Sequence, residues 1–428
     1  LKKLLIISPY FPPSNAADMQ RIRMSLPYFK EYDWKVEVVT VAPVYSDFVK
    51  DDQLKESVPT AIKIHEVKAF SKKWTSKIGL GSIALRSLWF YKVYVDKLLK
   101  KQHFDLIYFS TTQFPVLILG AHWKKKFNVP YVIDMQDPWH STYYEDKSKT
   151  ERPAKYWFSY RLNKYLEPIA MNKVGGLISV SQAYLDTLVG RYPRLKEIPK
   201  QVITFGAFKP DFEWAKNKVK ERYPKEEGTF NFIYVGRGGH DMKAALILLF
   251  RAFKKGLTHQ PEQFNKIRFH FIGTSYAPQG QGIPTIKPLA SEMGIAEYME
   301  EQTDRISFYD SIYTLLTADA LMIIGSDDPQ YTASKIYPYI LAERPLLAFF
   351  HPESSAAQII ENCNAGTVIS LIESKDLTIE KVYDYLLNAS TYKLLPPEIN
   401  WKSFDVYSAE NMCKNQCELF TKVIQASN

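Results

Sequence analysis

Cysteine is scarce, with only Cys363, Cys413 and Cys417 in 428 residues. An odd number this thinly spread excludes a disulfide framework and fits a reducing compartment. Cys413 and Cys417 stand four apart in a helical pattern without the further ligands that zinc requires, so packing is their expected role. Long apolar runs are missing too. Nothing approaches the roughly 18 uninterrupted apolar residues of a membrane span, and the only apolar run near the start, Leu4 to Ile7, is too short for the core of a secretory leader. A cytoplasmic protein is expected. The chain opens at Leu1 rather than Met, which places the expected start upstream. Acidic charge is the third deficit: 46 Asp and Glu against 55 Lys and Arg leave a net charge of +9.

What is present suffices for two buried cores, since 46% of the residues are hydrophobic. Val36–Val41, Leu106–Phe109, Tyr131–Ile133 and Gly176–Val180 read as strands with little polar alternation, the pattern of a parallel sheet covered on both faces. Between them lie helical patterns, with Met19, Ile22, Leu26 and Phe29, and Phe158, Leu162, Tyr165 and Ile169, expected to face inward. Strand and helix in alternation mean a doubly wound α/β fold with ligands at the carboxyl ends of its strands. Around "KQVITFGAFKPDFEW" the pattern restarts. A strand to Val235 enters the turn "GRGG" and then a helix with Leu246, Leu249, Phe250 and Phe253 inward; later strands stop at Gly273 and Gly325. The reading is therefore two Rossmann-like domains facing a cleft, 1–203 and 204–400, and a helical segment 401–428 crossing back to the first.

The turns carry the chemistry. Gly236, Gly238 and Gly239 allow close backbone approach, and the helix after them offers unpaired N–H groups. Arg237 and Lys243 add full positive charges at that helix start, a grip suited to a diphosphate. At the other end of the chain, "LLIISPYFPPSNAADMQRIRM" ends its strand at Ser8-Pro9. The small residues Ser14, Asn15, Ala16 and Ala17 then precede a helix, with Arg21 one turn behind. Past the strand in "YVIDMQDPWH" stand Asp134, Asp137 and His140, a carboxylate and imidazole set able to orient or deprotonate a hydroxyl. Thr111, Thr112 and Gln113 end the preceding strand.

Together these features resemble GT-B glycosyltransferases, and specifically the glycosyltransferase family 4 type. "YFPP" followed by small residues, Val235-Gly236-Arg237 with Lys243, "ISVSQAYLDTL" and "SKIYPYILAERPLLA" match the family's segments in order, although Ala244 stands where the family has Gly. The resemblance implies a metal-independent transfer that retains anomeric configuration. A UDP- or GDP-sugar donor would sit on the second domain and a saccharide or lipid-linked acceptor on the first, in cell-surface polysaccharide synthesis. It places Arg237 and Lys243 on the leaving diphosphate, where charge develops, and Asp137 and His140 on the acceptor side. Ser14, Asn15, Ala16, Arg21, Gly236, Gly238, Gly273, Asp327, Gln330, Thr332, Ser334 and Lys335 become candidate substrate contacts. No cofactor and no metal are expected, and Asp327-Asp328 falls in the sugar-facing loop. The family carries two glutamates eight positions apart in its donor loop. Here those positions are Gln330 and Pro338, so a ribose contact is lost. That departure keeps a silent nucleotide-sugar-binding relative open as an alternative, beside a nucleotide-sugar epimerase of the same architecture.

Charge adds a separate expectation. From Lys68 to Lys101 nine basic residues stand against one acid, Asp96, interleaved with Phe70, Trp74, Trp89, Phe90, Tyr91 and Tyr94. A basic, aromatic, amphipathic segment predicts attachment to an anionic membrane surface through Lys72, Lys73, Trp74, Lys97 and Lys100. No nucleic-acid module accompanies the patch, so a nucleic-acid partner is not expected.

Overall fold

A computed structural model describes residues 1–141, 156–218, 228–329 and 335–427. The chain forms two units, Leu1–Gly206 with Ala409–Asn428, and Ala207–Ser408. Seven parallel strands build the first: β1 (Lys2–Ile7), β2 (Trp34–Val41), β3 (Lys63–Val67), β4 (Leu106–Ser110), β5 (Tyr131–Met135), β6 (Gly176–Ser179) and β7 (Lys200–Val202), in the order β3-β2-β1-β4-β5-β6-β7. Leu4 to Ile7 and Leu106 to Phe109 are wholly buried, as a sheet covered on both faces demands. Helix α1 (Gln20–Ser25) is shorter than its apolar pattern, because Pro27 has no N–H to carry the ladder onward. Helix α2 (Ile83–Lys101) starts where the Ser82 hydroxyl accepts the Leu85 N–H at 3.3 Å, and it buries Tyr91 and Val95.

Helix α3 (Tyr156–Met171) departs from expectation. Tyr165 (73% exposed) and Ile169 (47%) face outward, and the buried residues are Glu167, Ala170 and Met171. The cause is electrostatic: Glu167 pairs with Arg191 and accepts the Tyr192 hydroxyl at 3.0 Å, and this cluster fixes the rotation of the helix.

The second unit has six parallel strands, β8 (Phe230–Val235), β9 (Ile267–Ile272), β10 (Met299–Gln302), β11 (Ala320–Ile324), β12 (Leu346–Phe350) and β13 (Thr367–Ser370), ordered β10-β9-β8-β11-β12-β13. Helix α4 (Lys243–His259) buries Leu246, Leu249, Phe250 and Phe253 against it. In α5 (Ile336–Leu341), Pro338 occupies the first turn, where a missing N–H leaves no bond unmade.

The closing helix, Ala409–Ser427, belongs to the first unit, and Trp401 to Ser408 belong to the second, so the crossing begins later than the apolar pattern suggests. Val406, within the expected helical segment 401–428, is exposed. Gln416 donates to the Ser25 hydroxyl at 3.0 Å, and Phe420 packs edge-on to Trp34 at 5.6 Å. Gly176 has no side chain because a Cβ there would strike Val423. Phe420→Ala should therefore destabilise the protein by about 3–5 kcal/mol, the range for emptying a buried aromatic site. Guanidinium denaturation would measure it, and an unchanged midpoint would contradict this packing.

Candidate active site

In open α/β sheets ligands sit where the strand order reverses. These points are the carboxyl ends of β1 and β4 in the first unit and of β8 and β11 in the second. Both coincide with the segments singled out in the sequence.

At the end of β8 the chain turns through Gly236 to Gly239. The Gly238 N–H donates to the Thr274 carbonyl at 2.8 Å, and a Cβ on Gly238 would come within 2.9 Å of the Thr285 hydroxyl oxygen. Glu301 steadies that wall by accepting the Thr274 hydroxyl at 2.8 Å and the backbone N–H groups of Thr285, Ile286 and Lys287 at 3.0, 2.9 and 2.8 Å. Gly273 turns with φ 73°, its N–H bonded to the Gln302 carbonyl at 2.8 Å. Arg237 pairs with Asp241 at 2.6 Å over Gly239, both about half exposed.

Lys335 is the amine drawn into this turn. Its Nζ donates to the Tyr234 hydroxyl at 2.7 Å and lies 4.7 Å from the centre of that ring. Tyr234 in turn donates to the Arg237 carbonyl at 2.8 Å. A Cβ on Gly236 would stand 3.6 Å from the Lys335 Nζ. Burial, reinforced by the Arg237 charge and opposed by Asp241, lowers the Lys335 ammonium to about 8. Lys243 takes the first position of α4 as expected, but it is exposed and, among the described residues, makes no ion pair. Lys335 thus shares the field of Arg237. Tyr234 and Asp241 were not anticipated, because neither residue type announces a phosphate site. Asp327 is exposed beyond β11, while Gln330, Thr332 and Ser334 lie outside the described residues.

In the first unit the predicted loop is more structural than expected. Arg21 is wholly buried. Its Nε pairs with Asp134 at 2.7 Å, and its other nitrogens donate to the carbonyls of Thr204 and Ile203 at 3.0 and 2.8 Å. It is therefore a brace and not a ligand contact. Ser14 is likewise buried, donating to the Ser46 hydroxyl at 2.8 Å, and Ala16 is buried; Asn15 is half-buried. Asp134 accepts the Ser110 hydroxyl and the Gln136 amide, both at 2.8 Å.

Asp18, unremarked in the sequence, is the carboxylate placed at the switch point. It accepts the Thr111 hydroxyl at 2.8 Å and the Thr112 N–H at 3.1 Å, and burial raises its pKa. Asp137 is exposed, yet the protein around it strips enough hydration to raise its pKa, with the Asp18 charge adding to the rise. His140 is held by its backbone, donating its N–H to Glu167 at 3.0 Å and accepting from Arg191 at 3.0 Å, with its ring centre 4.7 Å from that of Tyr160.

Lys72, Lys73, Lys97 and Lys100 are exposed, as are Trp74 (68%) and Trp89 (57%). Arg86 departs from the patch: it is buried, donating to the carbonyls of Gly81, Phe70 and Tyr45. Among the described residues no helix is long and apolar enough to cross a membrane, and no three His, Cys, Asp or Glu side chains are arranged to hold a metal.

Compared by sequence, the chain matches no family model and no curated protein. Solved structures do match over their whole length. Anabaena HepE, crystallised with UDP and glucose, is 15% identical with a TM-score of 0.57, covering 98% of this chain and 100% of its own. WaaG, a glycosyltransferase of lipopolysaccharide biosynthesis, is 16% identical with a TM-score of 0.54, covering 98% and 99%. Sucrose-phosphate synthase from Thermosynechococcus elongatus is 11% identical with a TM-score of 0.58, covering 100% of both chains. With two all-parallel units, each turning at a switch point, the chain has the GT-B glycosyltransferase fold.

Proposed function

We propose that the chain is a retaining, metal-independent glycosyltransferase that moves a sugar from a nucleoside-diphosphate sugar to a saccharide or lipid-linked acceptor. The observation that carries this is the group Tyr234, Gly236, Arg237 and Lys335 at the β8 switch point. It joins two cations to a glycine turn whose bare backbone lets a diphosphate approach closely. Arg237 and Lys335 stabilise the negative charge that grows on the leaving diphosphate. On the first unit Asp137, with its pKa raised beside Asp18, orients the acceptor hydroxyl and draws on its proton as the new bond forms. The basic, aromatic surface of residues 68–101 holds the enzyme at an anionic cytoplasmic membrane, where lipid-linked acceptors reside. Pro338, in place of a ribose-binding carboxylate, leaves the donor loosely held. The epimerase alternative makes a different product, an altered nucleotide sugar formed with no acceptor present.

Arg237→Ala should weaken nucleotide-sugar binding and kcat/KM by about 10- to 150-fold, the worth of one charged hydrogen bond, with folding intact. Calorimetry across UDP- and GDP-sugars tests it, and unchanged affinity removes the donor site from this turn.

Protonation gives a second check. Lys335 has a depressed pKa, so its charge is present below about 8 and lost above it. Nucleoside-diphosphate affinity should fall as the pH is raised from about 7 to about 9, and Lys335→Met should flatten that slope. A wild-type affinity independent of pH across this window would dissociate Lys335 from the phosphates.

Reversing Lys72, Lys73, Lys97 and Lys100 to Glu should release the protein from phosphatidylserine vesicles, since each basic residue near such a surface contributes about 1 kcal/mol. Wild-type protein that ignores these vesicles at low salt would leave the patch as an ordinary solvated surface.

A further inference from the structure

A cavity of about 380 Å³ lies within the first unit, between the start of α2, the residues after β4 and helix α3. Its volume is in the range of small-molecule sites. The chain is 24% charged, yet among the described residues none that lines the cavity is Asp, Glu, Lys, Arg or His. Ser76, Ser82, Thr112, Gln113 and Asn163 bring hydroxyl and amide groups to the wall. Phe158, Leu162 and Leu85 supply its apolar side. Gly79 shapes the void: it turns with φ 82°, and a Cβ there would stand 3.3 Å from the Phe158 ring.

The polar groups are not used up by the fold. The Ser82 oxygen accepts the Leu85 N–H, which leaves its own O–H to donate. Among the described residues the Gln113 side-chain amide makes no hydrogen bond. Asn163 exchanges two bonds with Trp139, at 3.0 and 3.3 Å, and retains one amide hydrogen and one lone pair. The same wall reaches the carboxylates: Thr112 donates its N–H to Asp18, and Trp139 lies two residues beyond Asp137.

We infer that this cavity binds the neutral sugar ring of the acceptor. This deepens the transferase reading above and rests on it. A pyranose offers hydroxyls around its edge and an apolar C–H face, which the amide and hydroxyl wall and the Phe158 side complement. Among the described lining residues a phosphate or a uronic acid finds no cation to pair with, and an unmatched charge carries a desolvation penalty. An alkyl chain would strand the wall's donors and acceptors without partners. Lys72, Lys73 and Lys77 belong to the outer surface and not to this lining.

The test is saturation-transfer NMR on the full chain, with methyl glucoside, methyl galactoside, methyl mannoside, maltose and lactose as neutral probes, and methyl glucuronide and decanoate as controls. At least one neutral sugar should receive saturation. Leu85→Trp, which fills the cavity, should weaken that binding more than tenfold, and glucuronide and decanoate should show none. If Leu85→Trp does not fold, Ser159→Trp, at an exposed α3 position on the rim, replaces it. Stabilisation by UDP or GDP, read as a thermal shift, should be the same in wild type and variant. A nucleotide shift with no response from any neutral sugar, or with sugar binding indifferent to both substitutions, overturns the cavity proposal and spares the transferase reading. Loss of the nucleotide shift in wild type, with sugar binding intact, fails the transferase reading and leaves a sugar-binding cavity. Preferential binding of glucuronide or decanoate overturns its neutral, polar character.

Discussion

The first unit depends on one buried ion pair. Arg21 and Asp134 are both inaccessible to water, and neither tolerates that alone, because an unpaired buried charge carries a penalty of several kcal/mol. Together they tie α1 to the end of β5, and through Ser110 and Gln136 they reach β4 and the backbone of Asp18. Arg21 also fastens the carbonyls of Ile203 and Thr204 and stacks 4.8 Å from the Phe205 ring. That hold is the physical reason the first unit extends to Gly206, past the point where β7 ends. Asp137, proposed to face the acceptor hydroxyl, follows directly on the strand whose end this pair holds.

The second unit uses a different device. Its strap is neutral and distributed: the Tyr339 hydroxyl accepts the Val235 N–H and donates to the Val235 carbonyl, at 2.8 and 3.0 Å. The last residues of β8 are thereby fastened to α5, and Tyr234 and Lys335 meet one step further on. The glycine turn is held by aromatic hydroxyls and by Glu301, with Arg237 and Lys335 beside it.

The sheets were legible in the sequence because a parallel strand buried on both faces is an unbroken apolar run, as Leu4 to Ile7 and Leu321 to Ile324 are. The glycine turn was legible for a similar reason, since Gly236 to Gly239 serve a local need. Contacts across the fold were not. Asp18 meets Thr111 over 93 positions and Lys335 meets Tyr234 over 101, and no local pattern encodes either pairing. Helix α3 misled because apolar spacing says which side chains share a face but not which way that face points. Glu167 and Arg191 decided that, and the cavity beside Phe158 is part of the result. Arg21 was found but misassigned: a lone arginine one turn into a helix gives no sign, in sequence, of whether its partner is a phosphate or a buried Asp.

The helix from Ala409 has a consequence for how the protein is made. It completes the packing around Trp34, Tyr108 and Gly176, yet it is synthesised after the whole of the second unit. On the ribosome the first unit therefore emerges with the site for Phe420 and Val423 uncovered, while the second emerges as one continuous stretch. Contacts of such long sequence separation form slowly, and exposed apolar surface in the interval invites association with other chains. Emergence of Ala409–Ser427, rather than of the first unit, is then the event that closes the core against β2 and β4.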